Sequence, residues 1–516
     1  MRLKAVMACT GLLAGVLVAL SPSIANAATT RYEAETSPAV CTGTIDSNWA
    51  GYSGSGFCNG TNAANAYAQF TVNASAAGTA TLGVRFANGT TSARPTSLLV
   101  NGTTVQSVSF EGTGTWDAWT TKTLTVNLAS GSNTIRLNPT GSTGLANIDY
   151  LEVTTGSTPP PTGTLYASPN GSASAPGTES APTTLASAIT RVTAGGVIYA
   201  RGGTYSLSQT LTIAAGNNGT SSALKKLSAY PGETPVLNFS SMSEDSANRG
   251  LALNGSYWHL YGLVVERAGD NGIFVGGSNN IIERTVTRFN RDSGLQISRI
   301  ASDTPQSQWP ANNLVLSSES HDNADSDGED ADGFAAKLTS GPGNVFRYAV
   351  SHNNIDDGWD LYTKTDTGAI GPVTIEDSLS YNNGTLSDGS QAGNGDRNGY
   401  KLGGEDIAVN HVIRRSIAYR NGKHGFTYNR NPGTMSISDN VSIDNTERNY
   451  SFDAGTSVFR NNVSCRSGSG TTDRIVGNAD SSNQFWSGSN GSRCSSYSGA
   501  LHWSFAADGR LVVTFG

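Results

Sequence analysis

A small unit recurs through the second half of the chain: a polar residue, a glycine, then an apolar residue. It reads NGI from Asn271, SGL from Ser293, DGF from Asp332, DGW from Asp357, NGY from Asn398 and HGF from His424. The glycines are 22, 39, 25, 41 and 26 residues apart, so three intervals are close to two dozen and two look like the same period carrying an insertion. A second ladder, VSHNN, LSYNN, IAYRN and VSIDN, ends each time in asparagine. A short repeat of strand-length apolar pieces without helical patterning predicts a solenoid, and a parallel β-helix fits best. Propeller blades need four strands in roughly 40 residues, too many for the short intervals. One plausible helix, TLASAITRVTA at 184–194, is positioned to cap the open end of the solenoid.

The rest of the chain sets the context. Arg2 and Lys4, an apolar run to about Leu20 and then Ala25-Asn26-Ala27 read as an export signal over residues 1–27. The run is short for a membrane span, so a secreted, extracellular protein is expected. Acidic residues outnumber basic ones, 40 to 33, which argues against nucleic acid as partner. Cys9 leaves with the signal, and Cys41, Cys58, Cys465 and Cys494 remain. An even number in an exported chain suggests disulfides, and of the three pairings Cys41–Cys58 with Cys465–Cys494 is the economical one. The Pro/Thr/Gly stretch 155–164 reads as an extended linker between segments 28–154 and 165–516. A monomer is expected.

Segment 28–154 alternates apolar and polar residues in short runs such as AQFTVNA, TKTLTVNL and NIDYLEVT, the pattern of a strand sandwich. RYEAE at its start, YSGSGF, GTWDAWTTKTLTVNLASGSNTIRL and the closing NIDYLEV resemble carbohydrate-binding modules of family 35 and its neighbour family 6. The resemblance implies a β-sandwich (jelly roll). It also implies a structural calcium held by Glu33, Glu35 and Asp149, and sugar contacts from Tyr52, Trp116, Trp119 and Asn147. By the same resemblance the module's ligands are uronic-acid-containing glycans.

Stacking the coils on their glycines predicts a site. Asp332 and Asp357 each precede the glycine on consecutive coils, about 4.8 Å apart, and Asp356 and Asp360 lie two before and two after Gly358. Four converging carboxylates repel and need a counter-charge, for which Ca²⁺ is the natural hard cation. Lys401 occupies the position of Asp360 one coil on, with Lys337 and Lys364 nearby in sequence. The insertions near 299–313 and 384–396 are expected to wall the patch, and Arg347, Arg397, Arg414, Arg415 and Arg430 are candidates for carboxylate contacts. The acidic run 322–332 is no EF-hand, because the twelfth position from Asp325 is Ala336.

ADGFAAKL, NNIDDGWDLYTK and NGYKLGG, in this order and spacing, resemble pectate lyases of polysaccharide lyase family 9. The resemblance implies an all-β protein with a right-handed parallel β-helix. It also implies calcium ligands at Asp332, Asp356, Asp357 and Asp360, and a catalytic base at Lys401. The implied reaction is calcium-dependent β-elimination in α-1,4-polygalacturonate (pectin), giving 4,5-unsaturated products. Rival readings are a polygalacturonase-like hydrolase with paired aspartates, a lyase for another uronate polymer, and a non-catalytic polysaccharide-binding solenoid.

Overall fold

Each glycine of the repeat sits where two coils meet closely. A Cβ on Gly358 would lie 2.1 Å from Ser380 Oγ and 2.6 Å from Gly399 O, so only glycine lets the coils close up there. The residues that follow the glycines fall in register, Leu295 on Phe334, Phe334 on Trp359, Trp359 on Tyr400 and Tyr400 on Phe426. Their rings stack inside the coil, with centroids 4.8 Å apart for Trp359–Tyr400 and 4.7 Å for Tyr400–Phe426. The asparagines make a second buried column. Asn323 Nδ2 donates to Asn354 Oδ1 at 2.8 Å, Asn354 Nδ2 to Asn383 Oδ1 at 2.9 Å and Asn383 Nδ2 to Asn421 Oδ1 at 3.0 Å.

The computed structural model describes residues 29–74, 78–155 and 162–516. The chain divides into two compact units, Met1–Pro159 and Pro160–Gly516. The expected export signal and the central part of the expected linker lie outside the described residues. The linker's last residues do not behave as a spacer: the strand Thr162–Ala167 pairs in parallel with Val192–Ala200 and opens the first coil.

The second unit is the parallel β-helix that the repeat predicts, of the right-handed kind that the resemblance implies. Three parallel sheets, of 12, 10 and 10 strands, run its length. The capping helix is present but shorter than expected, Leu185–Arg191, with Thr184 Oγ1 accepting from Ser187 N–H. From Val192 the chain turns into a strand, where β-branched Val192 and Val197 pair with neighbouring coils. The core is one continuous column of buried apolar side chains from Leu165 to Phe459. An antiparallel hairpin, Leu501–Phe505 with Leu511–Phe515, packs on the outside of the coils, with Trp503 Nε1 donating to Tyr381 Oη at 3.0 Å.

The first unit is a sandwich of a six-stranded and a five-stranded antiparallel sheet around its own apolar core. Disulfides join Cys41 to Cys58 and Cys465 to Cys494, the pairing the spacing favoured.

Candidate active site

Strand alternation delivers the key side chains. Trp359 and Tyr400 point into the core, so their neighbours Asp360 and Lys401, which are Cα partners across adjacent coils, both point outward on one face. Asp332 and Asp357 occupy equivalent positions two residues before the paired Phe334 and Trp359, and Asp357 N–H donates to Asp332 Oδ1 at 3.3 Å. Carboxylate oxygens of Asp332, Asp357 and Asp360 all lie within 4.8 Å of one another, and all three residues are buried. Asp356 is buried beside them, its Oδ1 accepting from Arg397 N–H at 3.1 Å and from Asp396 N–H.

Two lysines answer this charge. Lys401 Nζ lies 3.2 Å from Asp357 Oδ2, 3.6 Å from Asp360 Oδ2 and 3.1 Å from Asp396 Oδ2. Lys337 Nζ lies 2.7 Å from Asp332 Oδ2 and 3.6 Å from Asp360 Oδ2. Asp357 Oδ2 and Asp360 Oδ1 are nevertheless buried without a hydrogen bond. Burial raises the carboxyl pKa of Asp332 and Asp356 well above the usual range, and that of Asp357 to about 6, with the neighbouring aspartates adding to each. Burial alone would lower Lys401. The charges of Asp360, Asp357, Asp356 and Asp332 outweigh it and hold the ammonium protonated.

These groups line or underlie a cleft of about 310 Å³, bordered by Lys337, Tyr362, Lys364, Asn394, Asp396 and Lys401. A larger cavity, about 620 Å³, lies by Tyr381, Tyr419, Tyr497 and the Cys465–Cys494 disulfide, away from the carboxylates. The titratable groups converge on the smaller cleft.

Several expectations need correction. The insertion 384–396 reaches the cleft through Asn394 and Asp396, but 299–313 does not; its place is taken by Glu329 and Asp330. Arg347 and Arg414 lie on the outer face of a different sheet, each paired with Glu376, and Arg415 pairs with Asp377 beside them. Arg397 contributes its backbone N–H to Asp356, while its side chain packs over Gly384 and Gly422. Lys337 was legible only as a lysine near the repeat; its place five residues beyond Asp332, just after the strand Phe334–Ala336, was the available signal. Asp396, which touches Lys401, sits in an insertion where no repeat register applies.

In the sandwich unit, Glu33, Glu35 and Asp149 converge on the loop Ser53–Ser55. Ser53 Oγ donates to Glu33 Oε2 at 2.7 Å, Ser55 N–H to Glu35 Oε1 at 2.9 Å and Ser53 N–H to Asp149 Oδ1 at 2.9 Å. Arg85 Nε stands 2.9 Å from Asp149 Oδ2. Trp119 packs edge-on to Phe57, and Nε1 donates to Ala50 O at 2.9 Å. Tyr52 lies on the other flank of Phe57, Trp116 is half-buried under the Arg94 guanidinium, and Asn147 is buried.

Residues 165–462 match the family described as Pel9A-like, right-handed β-helix region. The chain belongs to that family. It is a polysaccharide lyase by that membership, which sets aside the hydrolase and non-catalytic readings. The chain is 55% identical over 327 residues to "Pectate lyase L" of Paenibacillus polymyxa, spanning 63% of this chain and 72% of that relative. It is 45% identical over 292 residues to "Pectate lyase L" of Thermoclostridium stercorarium, spanning 56% of this chain and 23% of that relative. The solved structure titled "Crystal structure of pectate lyase Pel9A" superposes with a TM-score of 0.56 at 32% identity, over 65% of this chain and 82% of that one. Residues 34–155 match the carbohydrate binding module (family 6), so the Pel9A-like domain carries an attached sugar-binding module.

Proposed function

We propose that the chain is a secreted, calcium-dependent pectate lyase that cleaves α-1,4-polygalacturonate by β-elimination, with Lys401 as the base. The observation that carries this reading is an amine set 3.2 Å from Asp357 Oδ2, at the edge of a buried carboxylate cluster that keeps two oxygens without hydrogen bonds. Hard oxygens in a group this tight fit a divalent cation, which would satisfy Asp360 Oδ1, buried without a hydrogen bond, and Asp357 Oδ2, whose close partner is the Lys401 amine. Asp332, Asp356, Asp357 and Asp360 would hold the ion. Bound there, calcium supplies a Lewis acid that draws charge from the uronate carboxylate and acidifies the adjacent C5–H.

The chain's own residues do the remainder. Lys401 Nζ, which the aspartates hold protonated while their charge is uncompensated, would take the C5 proton as a neutral amine once a bound cation offsets those carboxylates. The electron pair closes the C4=C5 bond as the C4–O4 bond breaks, the departing oxygen stays on C1 of the neighbouring sugar and takes a proton from solvent, and no water is added to the product. Lys337 stays on Asp332 and lowers the net charge of the cluster. The two disulfides support an oxidising, extracellular setting. The sandwich module, with Glu33, Glu35 and Asp149 as a second calcium position, is proposed to anchor the enzyme on uronate-bearing glycans.

The test is ultraviolet absorbance of polygalacturonate digests with calcium and with chelator. Calcium-dependent growth of conjugated unsaturated ends is expected. Cleavage that persists in chelator, or that yields saturated ends only, overturns the reading.

A further inference from the structure

The groove that holds the cleft carries unlike charge at its two ends. On the C-terminal side, one and two coils beyond Lys401, lies a cavity of about 200 Å³ lined by Asn398, Lys423, Tyr428, Arg430 and Asp453. Lys401 is the Cα partner of Thr427, and Thr427 of Ser451, both of which also line that cavity. Asp396 joins the two compartments, with Oδ2 3.1 Å from Lys401 Nζ and Oδ1 2.9 Å from Lys423 Nζ. Arg430 stands at the rim with 60% of its side chain exposed, paired with exposed Asp406. The backbone fixes that rim: Asn429 and Arg430 have φ of 41° and 60°, and Glu405 and Asp406 have φ of 52° and 59°.

On the N-terminal side, the cleft shares Asp330 with a cavity of about 290 Å³. Its wall carries Glu244, Asp245, Asp270, Asp292, Asp325 and Asp327. Its one lining base, Arg291, is paired with Glu244 at 3.4 Å. A polyanion laid along the groove therefore meets two cationic side chains at one end, each shared with one aspartate (Lys423 with Asp396, Arg430 with Asp406), and at the other a wall of carboxylates with a single base among them.

We propose that Arg430, with Lys423 and Tyr428, forms a subsite for a free uronate carboxylate, and that the groove thereby reads the methyl-ester pattern of its substrate. A uronate over the Arg430 end must be charged. A residue over the acidic end is tolerated, or preferred, as its neutral ester. A guanidinium pairs with a planar carboxylate through two parallel N–H donors and has no equivalent partner in an ester. The inference rests on the lyase reading above and adds to it which end of the bound chain is read.

The experiment uses the full chain and oligogalacturonates bearing one methyl ester at each position in turn, with products mapped by mass spectrometry. Esters on one side of the cleaved bond are expected to lower kcat/KM roughly tenfold, and esters on the other side to leave it unchanged or raised. Arg430→Ala, at an exposed position, is expected to raise KM for the unesterified oligomer by a similar factor with kcat retained. It also removes the penalty on the sensitive side, while Arg430→Lys restores much of it. Equal penalties on both sides, or a one-sided penalty unchanged in Arg430→Ala, overturn the proposal while cleavage of unesterified polygalacturonate leaves the lyase reading standing. Absence of any lyase activity with calcium present overturns both.

Discussion

In the helical unit four aspartates from two successive coils face two buried lysines, whereas in the sandwich unit Glu33, Glu35 and Asp149 are met by the amides and hydroxyl of one loop and by Arg85. The difference lies in how each fold gathers like charges. Stacked coils have no choice: residues at equivalent positions must lie one rung apart, so two aspartates before two glycines become neighbours whatever their repulsion. The sandwich brings its carboxylates together through a loop and supplies donors from that loop. The first cluster is left frustrated, with two carboxylate oxygens lacking hydrogen bonds, and the second is nearer to satisfied, with Glu35 Oε2 the one carboxylate oxygen buried without a hydrogen bond. Frustration of this kind is the usual mark of a working site.

The hardest test of that contrast is Lys401→Ala. If the frustrated cluster does chemistry, lyase turnover falls by roughly 10²- to 10⁴-fold. Calcium-induced thermal stabilisation of the helical unit, followed by calorimetry, is retained because the aspartates remain. Turnover within a factor of two of the parent removes Lys401 from the mechanism. Next in size is the scaffold that forces the aspartates together. Asn354 accepts from Asn323 and donates to Asn383 inside the buried ladder, on the coil that bears Asp356 and Asp357. Asn354→Ala orphans groups on both neighbours at about 1–3 kcal/mol each. Chemical denaturation is expected to show the loss in the helical transition alone, and a loss below about 0.5 kcal/mol means the stacking is set by the aromatic column instead.

The architecture was legible because a solenoid converts spacing into distance. The glycine intervals alone place Phe334, Trp359, Tyr400 and Phe426 in one register, and Asp360 beside Lys401. What was not legible lies where that conversion stops. Asp396 belongs to an insertion, so its contact with Lys401 depends on a loop path that no period encodes. Arg347 and Arg414 sit in repeat units, but the period does not say which of three faces an outward residue occupies, and they fall on a sheet away from the cleft. Lys337 follows a strand whose length sets its direction, and only the folded chain shows it on Asp332.

The frustrated cluster also makes a pH prediction. Burial raises Asp357 from 3.8 to about 6 in the folded chain. The folded state thus binds this proton more tightly than the unfolded state. The associated stability is full below about pH 4 and is lost as pH rises through about 6. Buried His424, pushed down to about 4 by burial, works in the opposite direction, so the comparison must isolate Asp357. Asp357→Asn imitates the protonated carboxyl. In chelator it is expected to match the parent near pH 4, to be the more stable protein at pH 8, and to lose activity and calcium stabilisation. An unfolding midpoint for Asp357→Asn below that of the parent at pH 8 in chelator shows that the carboxylate is not strained.

The smallest effect belongs to the satisfied cluster. Glu35 Oε1 already holds Ser55 N–H, and a glutamine oxygen can keep that bond. Glu35→Gln therefore changes the sandwich's own unfolding in chelator by less than about 0.5 kcal/mol, as for a substitution that breaks no contact. Its effect is expected to emerge only with calcium: the parent sandwich melts higher when the ion is added, and the variant gains less, because one hard ligand has been lost. Equal calcium gains in parent and variant remove Glu35 from the ion's ligands. A large loss in chelator reverses the comparison itself, since it makes the sandwich cluster depend on a carboxylate charge that its loop donors were taken to satisfy.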